Sequence, residues 1–399
     1  MPATPASPNP SRNPGLDTLR ALAIALVFVY HYAAFVSGRS TFGWPSVVGW
    51  SGVDLFFVLS GYLIANQLFA GLARGRTVSL AAFIGRRALR TLPVFWLVLA
   101  AFFLWPQAMG GRTPPPLWRF LTFTQNLGLQ PGTAFSHAWS LCIEEQFYVA
   151  LPLVLAGGAW LARGRVRLTR RHAWGLVGGL VALGVAARCV RWFDVAPSAG
   201  GDPMQFSAHI YYATLCRFDE LLPGVAVAMV RNFHPGAWAR VTARGRTAGA
   251  LGLAGALAVL WLAYTESDDD VFGFFMTGFG YTLLAMSWAL LVVAALSPAT
   301  PLRRVRVPGA ASLALWSYSI YLSHKPLAYV LKTALQGAGL GEYALAAVIT
   351  AACIGMGALL HYGVERPFLR LRDRLMPSNF GVAEDGPGGA VALVRQPPC

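Results

Sequence analysis

The segment from Leu16 to Ser37 constrains the fold most, and it reads LDTLRALAIALVFVYHYAAFVS. It can cross a membrane, because about 20 mostly apolar residues span the hydrocarbon core. Yet it contains Arg20 and His31, and a charged side chain inside a span costs about 2.5–3.5 kcal/mol on insertion scales. The two residues share one helix face, roughly 16 Å apart along the axis. We therefore predict a helix with a functional polar face; a snorkelling arginine and a histidine that bonds a neighbouring helix are the alternative.

Composition indicates a polytopic membrane protein. Hydrophobic residues make up 56% of the 399 positions and charged residues only 12%, against about 25% in soluble proteins. The net charge of +15 does not predict nucleic-acid binding, because the arginines lie in short loops between apolar segments. The cysteines show no CxxC pair and no histidines at ligand spacing, so we expect no metal site and no disulfide framework. Membrane lipids are the expected surroundings.

Hydropathy predicts an all-α integral membrane protein, a single bundle of about ten transmembrane helices. The predicted spans are 16–37, 47–70, 90–106, 138–162, 173–192, 209–230, 247–265, 272–296, 308–335 and 343–364. Loops rich in arginine alternate with loops that are not, so the positive-inside rule places both termini in the cytoplasm. We divide the chain into an N-terminal tail at 1–14, a membrane domain at 15–370 and a cytoplasmic tail at 371–399, with both tails expected to be disordered.

The second predicted span places Asp54, Ser60 and Gly61 within the membrane. A carboxylate in a span needs a partner, and we consider Arg20 and His31 the candidates. Ser60 and Gly61 lie near the middle, where small residues let helices pack closely. A bare backbone at Gly61 would equally line a narrow channel for an acyl chain, and the sequence leaves both interpretations open.

A basic cluster precedes the third predicted span. Arg86, Arg87 and Arg90 lie close together, and Arg87 and Arg90 share a helix face because they are three residues apart. Guanidinium groups bind phosphates through paired hydrogen bonds, so the cluster is a candidate site for a phosphate-bearing substrate. The alternative is an ordinary cytoplasmic loop that obeys the positive-inside rule.

The fourth predicted span opens with HAWSLCIEEQFY, which combines ionisable and aromatic side chains. His137 and Glu144 are seven residues apart, about two helical turns, so they share a face. With Trp139 and Tyr148 nearby, we interpret this segment as a polar site at the outer interface. Solvated acids within an interfacial aromatic belt are the alternative.

Two later spans carry further ionisable residues. Arg217 lies three residues before Glu220, so the two can pair on one helix face, which would be a structural role. His324 lies in mid-span within the string SYSIYLSHKPL. We count Arg217 and His324 among the residues that support the acceptor.

Taken together, these strings resemble the acyltransferase-3 family of bacterial integral-membrane O-acyltransferases. The matching strings are collinear from about residue 15 to 370: LDTLRALA with His31, GVDLFFVLSGYLI, RRALRTLP, HAWSLCIEEQFY, SYSIYLSHKPL and VERPF. The family's pattern of an arginine, ten residues and a histidine matches Arg20 and His31. Its RxxR element matches Arg87 and Arg90, its FFxxSG element residues 56–61, and its WSLxxE element residues 139–144.

The resemblance implies transfer of an acyl group, often acetyl from acetyl-CoA, to a hydroxyl of a sugar in a cell-surface glycan or lipid-linked saccharide. It also implies the bacterial cytoplasmic membrane as the location. Some members carry an SGNH hydrolase-like domain, and we expect this chain to be a membrane domain that stands alone. A separate periplasmic partner would then complete the reaction, or the acceptor is small or lipid-linked.

Residues and resemblance combine into one hypothesis. His31 acts as the general base on the acceptor hydroxyl, Arg20 helps to hold the donor, and Glu144 orients the acceptor or the imidazole. The residues expected to bind acyl-CoA are Arg86, Arg87, Arg90, Ser60 and Gly61, and those expected to support the acceptor are Asp54, His137, Trp139, Tyr148, Arg217 and His324. The alternatives are O-acylation of a small metabolite or antibiotic, and a solute transporter, although we find no inverted repeat in the sequence.

Overall fold

The computed structural model describes residues 13–110, 113–163, 169–195, 202–266 and 271–380, and these ranges are mainly helical. The helices are α1 Pro14–Tyr32, α2 Trp44–Val48, α3 Ser51–Leu72, α4 Leu80–Leu104, α5 Leu117–Leu121, α6 Trp139–Arg163, α7 Arg170–Val195, α8 Pro203–Phe206, α9 Thr214–Arg217, α10 Leu222–Phe233, α11 Pro235–Ala243, α12 Gly245–Glu266, α13 Tyr281–Leu296, α14 Ala310–Ala334, α15 Glu342–Leu360 and α16 Arg366–Leu375. π-helical turns occupy Ala33–Ser37, Ser207–Tyr211, Met276–Gly280 and His361–Glu365, and 3-10 turns occupy Ser136–Ala138, Phe218–Leu221 and Pro301–Arg303.

The two predicted tails fall largely outside the described residues. Positions 1–12 of the N-terminal tail and 381–399 of the C-terminal tail are not among them. Residues 371–375, predicted to be disordered, instead continue α16. Phe380 then forms an isolated backbone bridge with Val78, so the described part of this tail runs back along the start of α4.

Within the residues that the structure describes, eight helical segments are long and apolar enough to cross a membrane. They are Pro14–Ser37, Ser51–Leu72, Leu80–Leu104, Ser136–Leu161, Arg170–Val195, Gly245–Glu266, Met276–Leu296 and Glu342–Leu375. The predicted span 308–335 does form a helix, α14, but its serines, His324 and Lys325 make it more polar than these eight. The helical membrane architecture is confirmed, whereas the number of spans and the side of the termini stay predictions.

The predicted span 209–230 is not one helix, and this prediction was wrong. A π-helical turn, the short α9 and a 3-10 turn precede α10. The interruption brings charged side chains into one buried network, in which Arg188 pairs with Asp219 at 2.6 Å and Arg217 pairs with Asp54 at 3.1 Å and with Glu220. All five side chains are fully buried, so the bends satisfy charges that a straight helix would leave unpaired in the membrane.

The start of α1 is fixed by its sequence. The Asn13 side chain caps the helix by accepting hydrogen bonds from the amides of Gly15 at 2.9 Å and Leu16 at 3.3 Å, and Pro14 occupies the first turn. The buried face of α1 includes Ala23 and Val27, and the helix packs on α3, α13 and α14. This packing holds the polar face of α1 against α14.

Helices α3 and α10 approach each other through two glycines. A Cβ on Gly61 would collide with the carbonyl oxygen of Leu221, and a Cβ on Gly224 would collide with that of Val58. Gly61 therefore serves close helix packing, and its predicted role as the lining of an acyl channel was wrong.

Replacing Gly61 with Ala is expected to destabilise the bundle by about 1–3 kcal/mol, because the added methyl overpacks the contact with Leu221. The measurement is the thermal unfolding midpoint in detergent. Gly178→Ala in α7 is the matched control, since a Cβ there meets nothing within 4 Å. Equal midpoints for the two variants would contradict the packing role.

Candidate active site

A small polar cavity of about 70 Å³ lies where α1, α14 and the start of α6 meet. His31, His137 and Lys325 line it, together with aromatic side chains that include Trp139 and Tyr211. His31 comes from α1, His137 from the 3-10 turn before α6, and Lys325 from α14. The cavity thus collects ionisable groups from three distant parts of the sequence.

His31 forms a hydrogen bond with His324, which lies one residue before Lys325 on α14. The atoms His31 Nδ1 and His324 Nε2 are 2.7 Å apart. The ring centres are 5.0 Å apart and the planes differ by 23°, so the rings meet edge to edge, as a hydrogen bond requires. The predicted mid-span histidines therefore belong to one site.

Backbone carbonyls fix which nitrogens carry the protons in this pair. His324 Nδ1 lies 3.0 Å from the carbonyl oxygen of Ile320 and 2.8 Å from that of Tyr321, and carbonyl oxygens only accept. His324 Nδ1 is therefore the donor, and its Nε2 in the neutral ring is an acceptor. His31 must then donate from Nδ1, which leaves the Nε2 of neutral His31 with its lone pair free to accept a proton.

Neutral His137 carries its proton on Nε2, whereas neutral His31 carries it on Nδ1, and a proline in α14 is the reason. Pro326 within α14 has no N–H, so it cannot bond the carbonyl of Leu322 four residues earlier. His137 Nε2 donates to that carbonyl at 3.1 Å. His137 Nδ1 is thus the unprotonated nitrogen, and it is buried without a hydrogen-bond partner among the described residues.

Aromatic rings and the buried ionic network support one side of the cavity. The guanidinium carbon of Arg217 lies 4.7 Å from the ring centre of Tyr211 and 5.3 Å from that of Trp139, and both rings line the cavity. Arg217 is itself fully buried against Asp54 and Glu220. The predicted pair of Arg217 and Glu220 is confirmed, and the carboxylates of Asp54 and Glu220 hold the guanidinium against these two rings.

The partner of Asp54 differs from the prediction. We expected Arg20 or His31, but the carboxylate pairs with Arg217 at 3.1 Å. The reason is that the bend before α10 brings the guanidinium to α3, whereas His31 is engaged with α14.

Glu144 belongs to a second polar cluster rather than to the cavity. Its carboxylate accepts hydrogen bonds from Ser60 at 3.0 Å and from Tyr148 at 2.9 Å. The guanidinium of Arg87 stacks on the Tyr148 ring at 3.8 Å. The prediction that Glu144 orients the imidazole was therefore wrong, because the two helical turns between His137 and Glu144 separate the sites.

Two further arginines join this second cluster. Arg20 interacts electrostatically with Glu144 and with Arg87. Arg90 lies within electrostatic range of Arg20, Arg87 and Glu365. The structure thus brings Arg20 of α1 to the RxxR pair of α4, which the sequence could not show.

Arg86 points elsewhere. It donates hydrogen bonds to the carbonyl of Met376 and to Asp373 at 3.3 Å, so it ties the start of α4 to the C-terminal segment. The structure therefore separates the Arg86 side chain from the other two arginines of the predicted cluster. Arg86 lies one helical turn before Arg90, but its guanidinium contacts the C-terminal segment rather than the groups around Arg87 and Arg90.

Sequence reasoning missed Lys325 and Ser136 as residues of the cavity. Lys325 donates to the Ser136 hydroxyl at 3.3 Å. The available signal was their adjacency to His324 and His137. Over the ranges that the structure describes, no group of three or more His, Cys, Asp or Glu side chains is arranged to hold a metal ion.

Comparisons with known proteins show which family the sequence matches. The family model of the acyltransferase-3 domain, described as an acyltransferase domain, matches residues 13–360. YrhL of Bacillus subtilis, provisionally named a peptidoglycan O-acetyltransferase, is 29% identical over 89% of this chain and 54% of its own length. The peptidoglycan O-acetyltransferase OatA of Listeria monocytogenes is 27% identical over 79% of this chain and 49% of its own length.

The O-acetyltransferase OatA of Staphylococcus aureus is 24% identical over 80% of this chain and 51% of its own length. The chain thus spans about half the length of the curated relatives it matches. No solved structure matches it. Since the family model covers most of the sequence, the chain belongs to the acyltransferase-3 family.

Proposed function

We propose that this protein transfers an acyl group, in the first place acetyl from acetyl-CoA, to a hydroxyl of a sugar in a cell-surface glycan or lipid-linked saccharide. The observation that carries the proposal is the unprotonated Nε2 of His31, held in that form by His324 in a polar cavity. The family and the names of the relatives support acetyl transfer to peptidoglycan or a similar glycan.

The reaction begins with His31 Nε2, which takes the proton from the acceptor hydroxyl as its oxygen attacks the thioester carbonyl carbon. The tetrahedral intermediate then collapses, and the thiolate of CoA leaves with the proton from the imidazolium. His324 accepts from His31 Nδ1 throughout, so the ring stays oriented in a way comparable to the third member of a catalytic triad. The acyl group ends as an ester on the sugar.

The donor is expected to bind through the second cluster. Arg20, Arg87 and Arg90 offer guanidinium groups suited to the phosphates of CoA. Arg20 lies roughly 16 Å from His31 along α1, so the thioester must reach the cavity on a long arm, which pantetheine provides. The second cluster would thus bind the donor, and the cavity at His31 would carry out the chemistry.

Replacing Arg90 with Gln is expected to raise the KM for acetyl-CoA by about 10- to 100-fold, because a hydrogen bond to a charged group contributes about 1.5–3 kcal/mol. The kcat at saturating donor should change little. Arg76→Gln, in the exposed loop before α4, is the matched control. A donor KM that is equal in both variants would refute the phosphate site.

The proposal as a whole is tested in cells with and without the protein. Mass spectrometry of surface polysaccharide and lipid-linked sugars should show an acetyl increment that mild base removes, only when the protein is present. The acceptor sugar is read from the fragment that carries the increment. Secretion of an acetylated small molecule with unchanged glycans would contradict the glycan acceptor, and solute flux without thioester consumption would contradict acyl transfer.

A further inference from the structure

Three polar side chains form a hydrogen-bonded group at the centre of the second cluster, and the reaction at His31 does not use them. Glu144 Oε1 accepts from the Ser60 hydroxyl at 3.0 Å, and Glu144 Oε2 accepts from the Tyr148 hydroxyl at 2.9 Å. Ser60 also interacts with the Tyr148 hydroxyl. Ser60 belongs to α3 and the other two residues to α6, so the group joins two helices. The Tyr148 ring is thus anchored at its hydroxyl end.

The anchored ring carries an arginine of the second cluster. The guanidinium carbon of Arg87 lies 3.8 Å from the centre of the Tyr148 ring, well within the range of a cation–π contact. Tyr148 is buried, whereas Arg87 is only partly buried. Arg87 Nε has no hydrogen-bond partner among the described residues. The ring, rather than a hydrogen bond at Nε, therefore sets the plane of this guanidinium.

This arrangement differs from that of an arginine that serves the fold alone. Arg188 donates to both carboxylate oxygens of Asp219, at 2.6 and 3.0 Å, and is fully buried. The charges of Glu144 and Glu145 also act on Arg87, but in the described part of the chain neither carboxylate forms a salt bridge with it. A stacked guanidinium keeps its N–H groups in its own plane, where a phosphate can accept two of them at once.

We propose that Glu144 and Tyr148 are positioning residues of the acyl-CoA site: Glu144 holds the Tyr148 ring, and the ring holds Arg87 in the plane that a phosphate of the donor requires. The inference rests on the proposed function, because that function assigns the second cluster to the donor. Arg20 also interacts electrostatically with Glu144 and Tyr148, so the group lies near two arginines of the cluster. Glu144 contributes as a hydrogen-bond acceptor, because its negative charge alone would disfavour a phosphate nearby.

The first test compares Glu144→Leu, Glu144→Gln and Tyr148→Phe in acetyl transfer from acetyl-CoA to solubilised peptidoglycan strands. Glu144→Leu and Tyr148→Phe each remove the bond that anchors the ring, so the KM for acetyl-CoA should rise by about 2- to 30-fold, the range that a cation–π contact contributes. The amide oxygen of the glutamine in Glu144→Gln can still accept from Tyr148, so this variant should recover most of the loss. The kcat at saturating donor should change little, because the cavity at His31 is separate.

Recovery in Glu144→Gln separates positioning from a purely electrostatic role, because loss of the charge alone would affect Glu144→Gln and Glu144→Leu alike. Tyr281→Phe is the matched control. The Tyr281 ring lies 4.0 Å from the guanidinium carbon of Arg217, but its hydroxyl has no hydrogen-bond partner among the described residues, so the donor KM should stay that of wild type. Because Glu144→Leu and Tyr148→Phe break the same bond, the double variant should be no worse than the weaker single variant.

The second test measures binding of CoA itself in a thermal-shift titration and needs no turnover. The Kd should rise in Glu144→Leu and Tyr148→Phe and stay that of wild type in Tyr281→Phe. Thermal midpoints without CoA show which variants are folded, and Tyr148→Phe, which keeps the ring, decides the question if Glu144→Leu does not fold. If wild-type protein binds CoA in this way but transfers no acetyl group, the proposed function fails and the donor site stands. A Kd that is equal in all variants, a loss in kcat alone, or no binding of CoA by wild type overturns the inference.

Discussion

Replacing His31 with Gln is expected to lower kcat for acetyl transfer by about 10²–10⁴-fold, the range that general base catalysis contributes. Glutamine can still donate a hydrogen bond to His324 from its amide, so the fold of the cavity should persist. Its amide has no lone pair basic enough to take the proton of a hydroxyl. The KM for acetyl-CoA should change little, because the arginines that bind the donor lie in the second cluster.

His209→Gln is the matched control, since His209 is exposed and lies outside the cavity. Initial rates of base-labile acetate formation should distinguish the two variants, and equal thermal midpoints would show that both remain folded. A His31→Gln protein with the kcat of wild type would rule out His31 as the base. A variant that is inactive but unfolded would be replaced by His31→Asn for the same comparison.

Replacing Arg217 with Met is expected to destabilise the protein by about 3–5 kcal/mol, a large fraction of the roughly 5–15 kcal/mol by which native proteins are stable. The change leaves Asp54 and Glu220 fully buried without their cation. It also removes the guanidinium that packs on the rings of Tyr211 and Trp139, so the cavity should lose its order together with the bundle. The measurement is the fraction of folded protein recovered in detergent and its thermal midpoint.

An exposed ion pair serves as the comparison. Arg191 lies 3.8 Å from Asp194, with exposed side-chain fractions of 52% and 60%, so Arg191→Met should cost about 0–1 kcal/mol. Adding Asp54→Asn and Glu220→Gln to the Arg217→Met variant removes the two buried charges that have lost their cation. This combined variant should recover part of the stability. Equal stability of the two single variants would contradict the structural role of the network.

Local sequence was enough for the helical membrane architecture and for several side chains that the cavity brings together, among them His31, His137 and Trp139. Apolar segments predicted the helical membrane fold, and the spacing of Arg20 and His31 predicted one shared face on α1. In the structure His31 contacts His324 and Arg20 lies near Glu144 and Arg87. Short-range pairs could also be predicted: Arg217 and Glu220 are three residues apart, which makes them neighbours on a helix. Such features depend on helix geometry alone.

Contacts between helices that are distant in the sequence could not be predicted from it. The bond between His31 and His324 joins residues 293 positions apart, and the pairing of Asp54 with Arg217 depends on a bend that hydropathy does not register. The role of Gly61 also required the structure. Close helix packing and the lining of an acyl channel both favour glycine, and only the position of Leu221 shows that Gly61 serves packing. The tautomer of His137 follows from the N–H that Pro326 lacks, which leaves the carbonyl of Leu322 free to accept. The sequence does not reveal that His137 lies beside this carbonyl of α14.

The most direct test of the account uses the purified protein in liposomes that contain acetyl-CoA inside and peptidoglycan strands outside. We expect free CoA and base-labile acetate on the glycan to appear in equal amounts with wild-type protein, and neither to appear above background with His31→Gln. Equal yields with both proteins, or release of CoA without any ester on the glycan, would contradict transfer of the acyl group by the cavity at His31.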